Sequence, residues 1–279
     1  MLLKKISKIF VIAIFASWVA FCASVYFLPQ LYFYNPSSEK AELENALSND
    51  FPAEEVKYNS YDGTKLYGWF IKPKNDKIVV FFHGNSYNIE SFYHKLTPLV
   101  EAGYGAFIGE YRGFGGIKGA INEKNLGEDA VSAVKYLYSK GYTNKDIVLY
   151  GMSLGSYTST HTAYSLGKDE NFAGLVLEVP FDSMINVVKQ RILNLFPFSY
   201  IIKDKYENTS KISQLKLPVL IMGASDDKVV PVERANELYK HANEPKKMII
   251  YQGASHSNLY NYRNWRDIND WLRANEKNK

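Results

Sequence analysis

The nine residues from Ile147 to Gly155 constrain what this chain can fold into more than any others. Ile147, Val148, Leu149 and Tyr150 are β-formers without polar alternation, which is how a strand covered on both faces of a parallel sheet reads. Gly151-Met152-Ser153-Leu154-Gly155 follows at once, and Ser156 to Leu166 can be helical. A strand that turns sharply into a helix puts its turn residue in a strained conformation and leaves no room for side chains two residues to either side. Gly151 and Gly155 supply that room. Ser153 is then expected to stand clear of the sheet over the positive end of the next helix. The Leu154 N–H is expected to point where an oxyanion would form. The pentapeptide alone also fits a tight turn with a capping serine; its place between strand and helix favours a nucleophile.

The N-terminus carries a second strong signal. Lys4, Lys5 and Lys8 precede an uncharged run from Ile9 to Leu28, and about twenty apolar residues are what a helix needs to cross the hydrocarbon core. A secretory signal has a shorter apolar region and a small-x-small cleavage site; Phe21-Cys22-Ala23 is a poor one, and bulky Phe21 also spoils a lipoprotein box. An uncleaved signal anchor is therefore expected over residues 1–28, in preference to a buried core helix. The lysines precede the span and the flank after it is mostly acidic (Glu39, Glu42, Glu44, Asp50). That asymmetry predicts a cytoplasmic N-terminus with the rest outside, in a periplasm or equivalent lumen. Tyr32, Phe33 and Tyr34 read as an interfacial aromatic belt, and residues 29–53 as a linker.

From residue 54 to 279 strands alternate with helices, which points to βαβ units and a mostly parallel sheet. Strands are expected at 56–60, 65–72, 78–82, 105–111, 147–150, 175–179, 219–222 and 248–251. Helices are expected at about 87–102, 123–140, 156–166, 232–241 and 262–274, with helical pieces at 183–206 broken at Pro197. The 279 residues suit one large α/β domain or two small ones. The net charge of +4 is mild and its lysines and arginines are scattered, so nucleic acid is not expected as a partner. Cys22 is the single cysteine, which excludes an intrachain disulfide. No metal-ligand cluster shows in the spacing, and no cofactor or metal is expected.

Five blocks occur in an order that resembles the α/β-hydrolase superfamily. They are Val80 to Asn85, Glu110 to Gly115, Tyr150 to Gly155, Gly223 to Pro231, and Gly253-Ala254-Ser255-His256. The chain is most similar to the small, membrane-anchored branch that includes fungal bud-emergence-type proteins and metazoan abhydrolase-domain relatives. The resemblance covers roughly residues 30–275. It implies an α/β-hydrolase fold: a mostly parallel eight-stranded sheet, helices on both faces, a minimal lid, and here an N-terminal transmembrane helix.

A serine hydroxyl needs a base, and the base a carboxylate to fix its tautomer. In this fold the order is Ser, then Asp or Glu, then His. Of five histidines, His94, His161 and His241 fall in predicted helices and read as surface residues, and His83 as a turn-shaping residue. Only His256 follows the last strand and every candidate acid. A Gly-x-x-Asp reading selects Asp226 as the acid, and an Asp-x-x-x-Pro reading selects Asp227. Asp227 is favoured, because Pro231 fixes the start of the next helix more firmly than Gly223 fixes the loop. Backbone N–H groups of Leu154 and Asn85 are expected to form the oxyanion hole, although Asn85 also fits a plain turn cap. Glu110 and Arg112 are expected to form a structural ion pair. Leu195, Phe196, Phe198 and Tyr200 fit either an acyl pocket or packing against the sheet. These roles imply a serine hydrolase acting on a small acyl ester or thioester, lipid-like chains being a natural guess for a tethered enzyme. A serine aminopeptidase would need an acid to hold the substrate amine, and none stands out. A non-catalytic tethered interaction protein is the rival, and an acyltransferase the enzymatic variant.

Overall fold

Runs of β-branched and aromatic residues become the strands, and the computed structural model, which describes residues 2–191 and 197–277, arranges eight of them in one sheet. In chain order they are β1 (Glu54–Asn59), β2 (Lys65–Ile71), β3 (Ile78–Phe82) and β4 (Gly105–Gly109). Then come β5 (Ile147–Met152), β6 (Gly174–Glu178), β7 (Val219–Ala224) and β8 (Lys246–Tyr251). The spatial order is β1-β2-β4-β3-β5-β6-β7-β8. Only β2 runs antiparallel to its neighbours; the remaining pairings are parallel. This is the α/β-hydrolase fold.

The unbroken apolar run of β3 has a simple cause. Ile78, Val80 and Phe82 face one core and Val79 and Phe81 the other, all of them buried. Each such side chain contributes roughly 1.5–3 kcal/mol relative to exposure, so a strand between two cores cannot alternate with polar residues. The chain leaves β3 toward β4 on one side and returns to β5 on the other. That reversal opens a crevice at the carboxyl edge of the sheet, where ligands of open α/β sheets bind. Asn85 follows β3 and Ser153 follows β5, so both lie at that edge.

Three expectations need correction. A continuous helix over 87–102 does not form; two 3₁₀ turns (Ile89–Ser91 and Tyr93–Lys95) lead into a short helix, Thr97–Glu101. Pro98 lacks the N–H a continuous helix needs and disfavours helical geometry just before it. In addition, the Ile89 N–H is held by the Glu110 carboxylate at 3.0 Å. Residues 29–53 are not a loose linker, since Tyr34, Ala41, Ala46 and Phe51 are buried in the domain. Asn35 and Pro36 pair in parallel with Ser86 and Tyr87, making a strap across the loop after β3. Nor does Tyr34 belong to an interfacial belt, because its hydroxyl bonds to that of Tyr206 in the interior.

The N-terminal helix spans Leu2–Phe27, and its stretch from Lys8 to Phe27 is long and apolar enough to cross a membrane. Between Ile9 and Phe15 its large side chains stand exposed, whereas Cys22 and Val25 are buried against the domain.

Candidate active site

The turn at the end of β5 takes the strained form its sequence requires. Ser153 has φ 54° and ψ −116°, a conformation most residues avoid. A Cβ on Gly155 would run into the Phe82 carbonyl oxygen, and one on Gly151 into the Gly155 carbonyl. Glycine is therefore required at both places. The Ser153 N–H donates to the Glu178 carbonyl at 2.9 Å, pinning the turn to β6. The helix Leu154–Leu166 starts immediately after. As its first residue, Leu154 has an N–H without an intrahelical acceptor, and the residue lines the same cavity as the serine.

Two loops converge on that serine. After β7, Asp227 is buried, and its Oδ1 accepts from Val229 N at 2.7 Å and Val230 N at 2.8 Å. Those bonds turn Oδ2 toward His256 Nδ1, 2.7 Å away, while His256 Nε2 lies 2.9 Å from Ser153 Oγ. Asp226 is exposed, and its Oδ1 accepts from its neighbour Ser225 Oγ at 2.8 Å. Bonds from Asp226 N to the Ala254 carbonyl (2.9 Å) and from Gly253 N to Ser225 Oγ (2.8 Å) lash the two loops together. Asp227 is thus the acid that reaches the histidine. The arrangement is a relay in which the serine hydroxyl can give its proton to the imidazole while the carboxylate holds the ring's other N–H.

Asn85 lies on the opposite wall. Its side-chain amide donates to the Phe33 carbonyl at 2.8 Å, and its own carbonyl accepts from Asn35 N at 2.9 Å. The side chain ties the loop after β3 to the strap. His83 is fully buried, with Nδ1 2.9 Å from the Gly84 carbonyl and Nε2 2.9 Å from Glu110. Glu110 and Arg112 do not pair with each other: Glu110 serves His83 and the Ile89 N–H, while Arg112 binds Asp129 (2.7 Å) and Asp62 (2.6 Å). The Arg112 guanidinium holds the Asp62 carboxyl well below the usual carboxylate range. The two side chains bond to different partners and brace different loops.

An apolar cavity of about 360 Å³ opens beside Ser153. Met184, Val187 and Val188 of the helix Met184–Arg191 form one wall with Phe198, and Val229 and Val230 another. Leu195 and Phe196 lie outside the described residues. Tyr200 is 85% exposed and does not line the cavity. The wall that sequence reasoning missed comes from the N-terminal helix itself, through Phe21 and Val25. An apolar run scored for membrane crossing gives no hint that two of its residues face protein. Also missed was a buried ion pair under the turn: Lys95 Nζ is 2.7 Å from Glu178 Oε1, and Tyr150 donates to the other oxygen. Burial and the adjacent Glu178 push the Tyr150 phenol well above its usual value, so it stays a donor. Among the described residues no group of three or more His, Cys, Asp or Glu side chains converges as a metal site would.

A profile of the prolyl oligopeptidase family matches residues 90–278, more than half of the chain. The chain belongs to the prolyl oligopeptidase family. As a member it is a serine hydrolase of the ester- or peptide-cleaving kind. It is 28% identical over 272 residues to the uncharacterized protein YfhR of Escherichia coli K12, covering 93% of this chain and 90% of that protein. It is 25% identical over 231 residues to human alpha/beta hydrolase domain-containing protein 17B, covering 81% and 76% respectively. Among solved structures it resembles the Pyrococcus furiosus esterase Pf2001, with TM-score 0.69 and 18% identity over 87% of this chain and 98% of that one. An α/β hydrolase from Vibrio vulnificus gives TM-score 0.68 and 21% identity over 82% and 84%. At such identities the likeness is one of fold. This prolyl oligopeptidase family member therefore shares its fold with solved esterases and a sequence profile with the prolyl oligopeptidase family.

Proposed function

We propose that this protein is a membrane-tethered serine esterase or thioesterase. Ser153 is the nucleophile, His256 the base, Asp227 the orienting acid, and the backbone N–H groups of Leu154 and Asn85 form the oxyanion hole. The observation that carries the reading is the Ser153–His256–Asp227 relay opening onto an apolar cavity. Ser153 Oγ attacks the substrate carbonyl carbon while its proton passes to His256 Nε2. Asp227 holds the imidazolium that forms. The carbonyl oxygen takes up the negative charge against the two N–H groups, and one such donor is worth about 10²–10³ in rate. The C–O or C–S bond then breaks, and His256 returns the proton to the departing alcohol or thiol. Water, activated by the same imidazole, attacks the acyl-enzyme and frees the acid and Ser153.

The cavity favours an ester over a peptide. None of the described residues lining it is acidic, so nothing there would hold a substrate ammonium. Its lining residues with polar side-chain atoms are Asn85, Ser153 and Tyr32, all uncharged. The N-terminal helix supports a single-pass tether, and the lysines before it support an outward-facing domain.

A fluorophosphonate probe tests this reading directly. The wild-type chain should label, Ser153→Ala should not, and ester substrates should turn over faster than matched amides. Equal labelling of Ser153→Ala would remove the serine from the mechanism, and a preference for amides would make the enzyme a peptidase.

A further inference from the structure

We infer that the outer end of the membrane helix is the acyl-chain selector of this site, and that the substrate is a bilayer-resident ester whose single long acyl chain enters sideways from the membrane. The inference rests on the ester-hydrolase reading above and adds the substrate class and the residues that choose it.

Phe21 and Val25 are four residues apart, hence on one face of the helix, and both line the cavity that holds Ser153. Val25 is 5% exposed and packs with Phe198 and Ile202 in an apolar cluster separate from the two large cores. Ile185, Val188, Ile201 and Phe33 pack against it, so the cluster joins the membrane helix to the helical pieces that follow β6 and to the strap. Upstream the same helix changes character: Ile9, Phe10, Val11, Ile12, Ile14 and Phe15 are 55–66% exposed, a surface that only lipid covers well. The boundary between lipid-facing and pocket-facing residues therefore falls inside one continuous helix.

Depth follows from helix geometry. Val25 and Phe21 precede the helix end at Phe27 by two and six residues. At about 1.5 Å per residue they lie roughly 3 and 9 Å below it. The hydrocarbon half-thickness is about 15 Å, so the cavity wall sits at the level of the outer acyl chains. The surrounding surface agrees, with Phe27 (70% exposed) and Leu31 (69%) presenting apolar side chains to the outside. Lys203 Nζ, 3.7 Å from the Tyr26 ring centre, marks the polar boundary. A substrate buried in the bilayer thus meets the cavity without first crossing water. The volume of about 360 Å³ is near the lower end for ligand pockets, which suits one chain rather than a bulky ring system.

The test uses the full-length protein in phosphatidylcholine vesicles. A fluorogenic palmitoyl ester with a membrane anchor of its own is placed either in the same vesicles or in separate protein-free ones. In parallel, p-nitrophenyl esters from acetyl to palmitoyl are compared in detergent for wild type, Val25→Trp, Phe21→Ala and Phe15→Ala. Hydrolysis is expected only when enzyme and lipid share a bilayer. Val25→Trp should lower the palmitoyl-to-acetyl ratio of kcat/KM by roughly tenfold or more, since one ill-fitting methylene in an apolar pocket is worth about 10–200-fold. Phe21→Ala should move the optimum to longer chains, and Phe15→Ala, on the lipid-facing stretch, should keep the wild-type ratio. Fluorophosphonate labelling of each variant reports that its site is folded. If labelled variants at 21 and 25 keep the wild-type ratio, or if separate vesicles are hydrolysed equally well, the selector is wrong and the esterase survives. If the wild type neither labels nor cleaves the acetyl ester, the esterase reading itself falls.

Discussion

Replacing Lys95 with methionine should destabilise the fold by about 3–5 kcal/mol, the cost of leaving a buried charge without its partner. Lys95 Nζ lies 2.7 Å from Glu178 Oε1, with side-chain exposures of 4% and 0%. Glu178 would keep two neutral donors, Tyr150 and Asn264 Nδ2 (3.2 Å), and lose the cation that pairs with it. Methionine nearly reproduces the lysine stem, so lost packing adds little. At about 2–4 °C per kcal/mol for a domain of this size, the midpoint of thermal unfolding should drop by roughly 10 °C. The assay is thermal unfolding of the full chain in detergent, followed by near-UV circular dichroism. The double variant Lys95→Met/Glu178→Gln removes both charges and should regain roughly half of the loss or more. A drop of under about 2 °C, or a double variant no better than the single, would show that the carboxylate does not depend on the lysine.

Asp227→Asn should lower kcat by about 10⁴ through the wrong histidine tautomer, whereas Asp226→Asn should stay within about twofold of wild type; ester kinetics on purified protein decide. Gly155→Ala forces a methyl onto the Phe82 carbonyl and should abolish fluorophosphonate labelling even if folded protein is recovered. Burial, and then Lys211, hold the His161 imidazole below its usual value of 6.5. The fold therefore prefers the neutral ring, and this contribution to stability is complete at higher pH and lost as pH falls below about 6.5. His161→Gln should flatten that part of the stability–pH curve in denaturant titrations, and an unchanged slope would assign it elsewhere. Protease added outside intact spheroplasts should digest the domain, and protection would reverse the orientation.

The fold was legible because its signals are local and repeated. The apolar run of β3 and the Gly151–Gly155 turn allow few alternatives, and the spacing from Asp227 to Pro231 pointed at the carboxylate that the structure brings to His256. What escaped was tertiary. Pro98 broke an otherwise helical pattern, and nothing around Lys95 announces a partner 83 residues away. Glu110 and Arg112, two residues apart, invited a pairing, but each is taken up by partners distant in sequence: His83 and the Ile89 N–H for one, Asp62 and Asp129 for the other. Residues 29–53 look like linker by composition, yet Tyr34 and Phe51 are core residues.

Because Phe21 and Val25 close one side of the cavity, trimming the chain after Leu28 to obtain a tractable soluble fragment would strip away that side and bare Phe198 and Ile202. Such a fragment could keep its serine reactive and still rank substrates misleadingly, favouring bulky or short esters that the intact protein handles poorly. Screens aimed at the natural substrate belong on the whole polypeptide, held in lipid or a mild detergent.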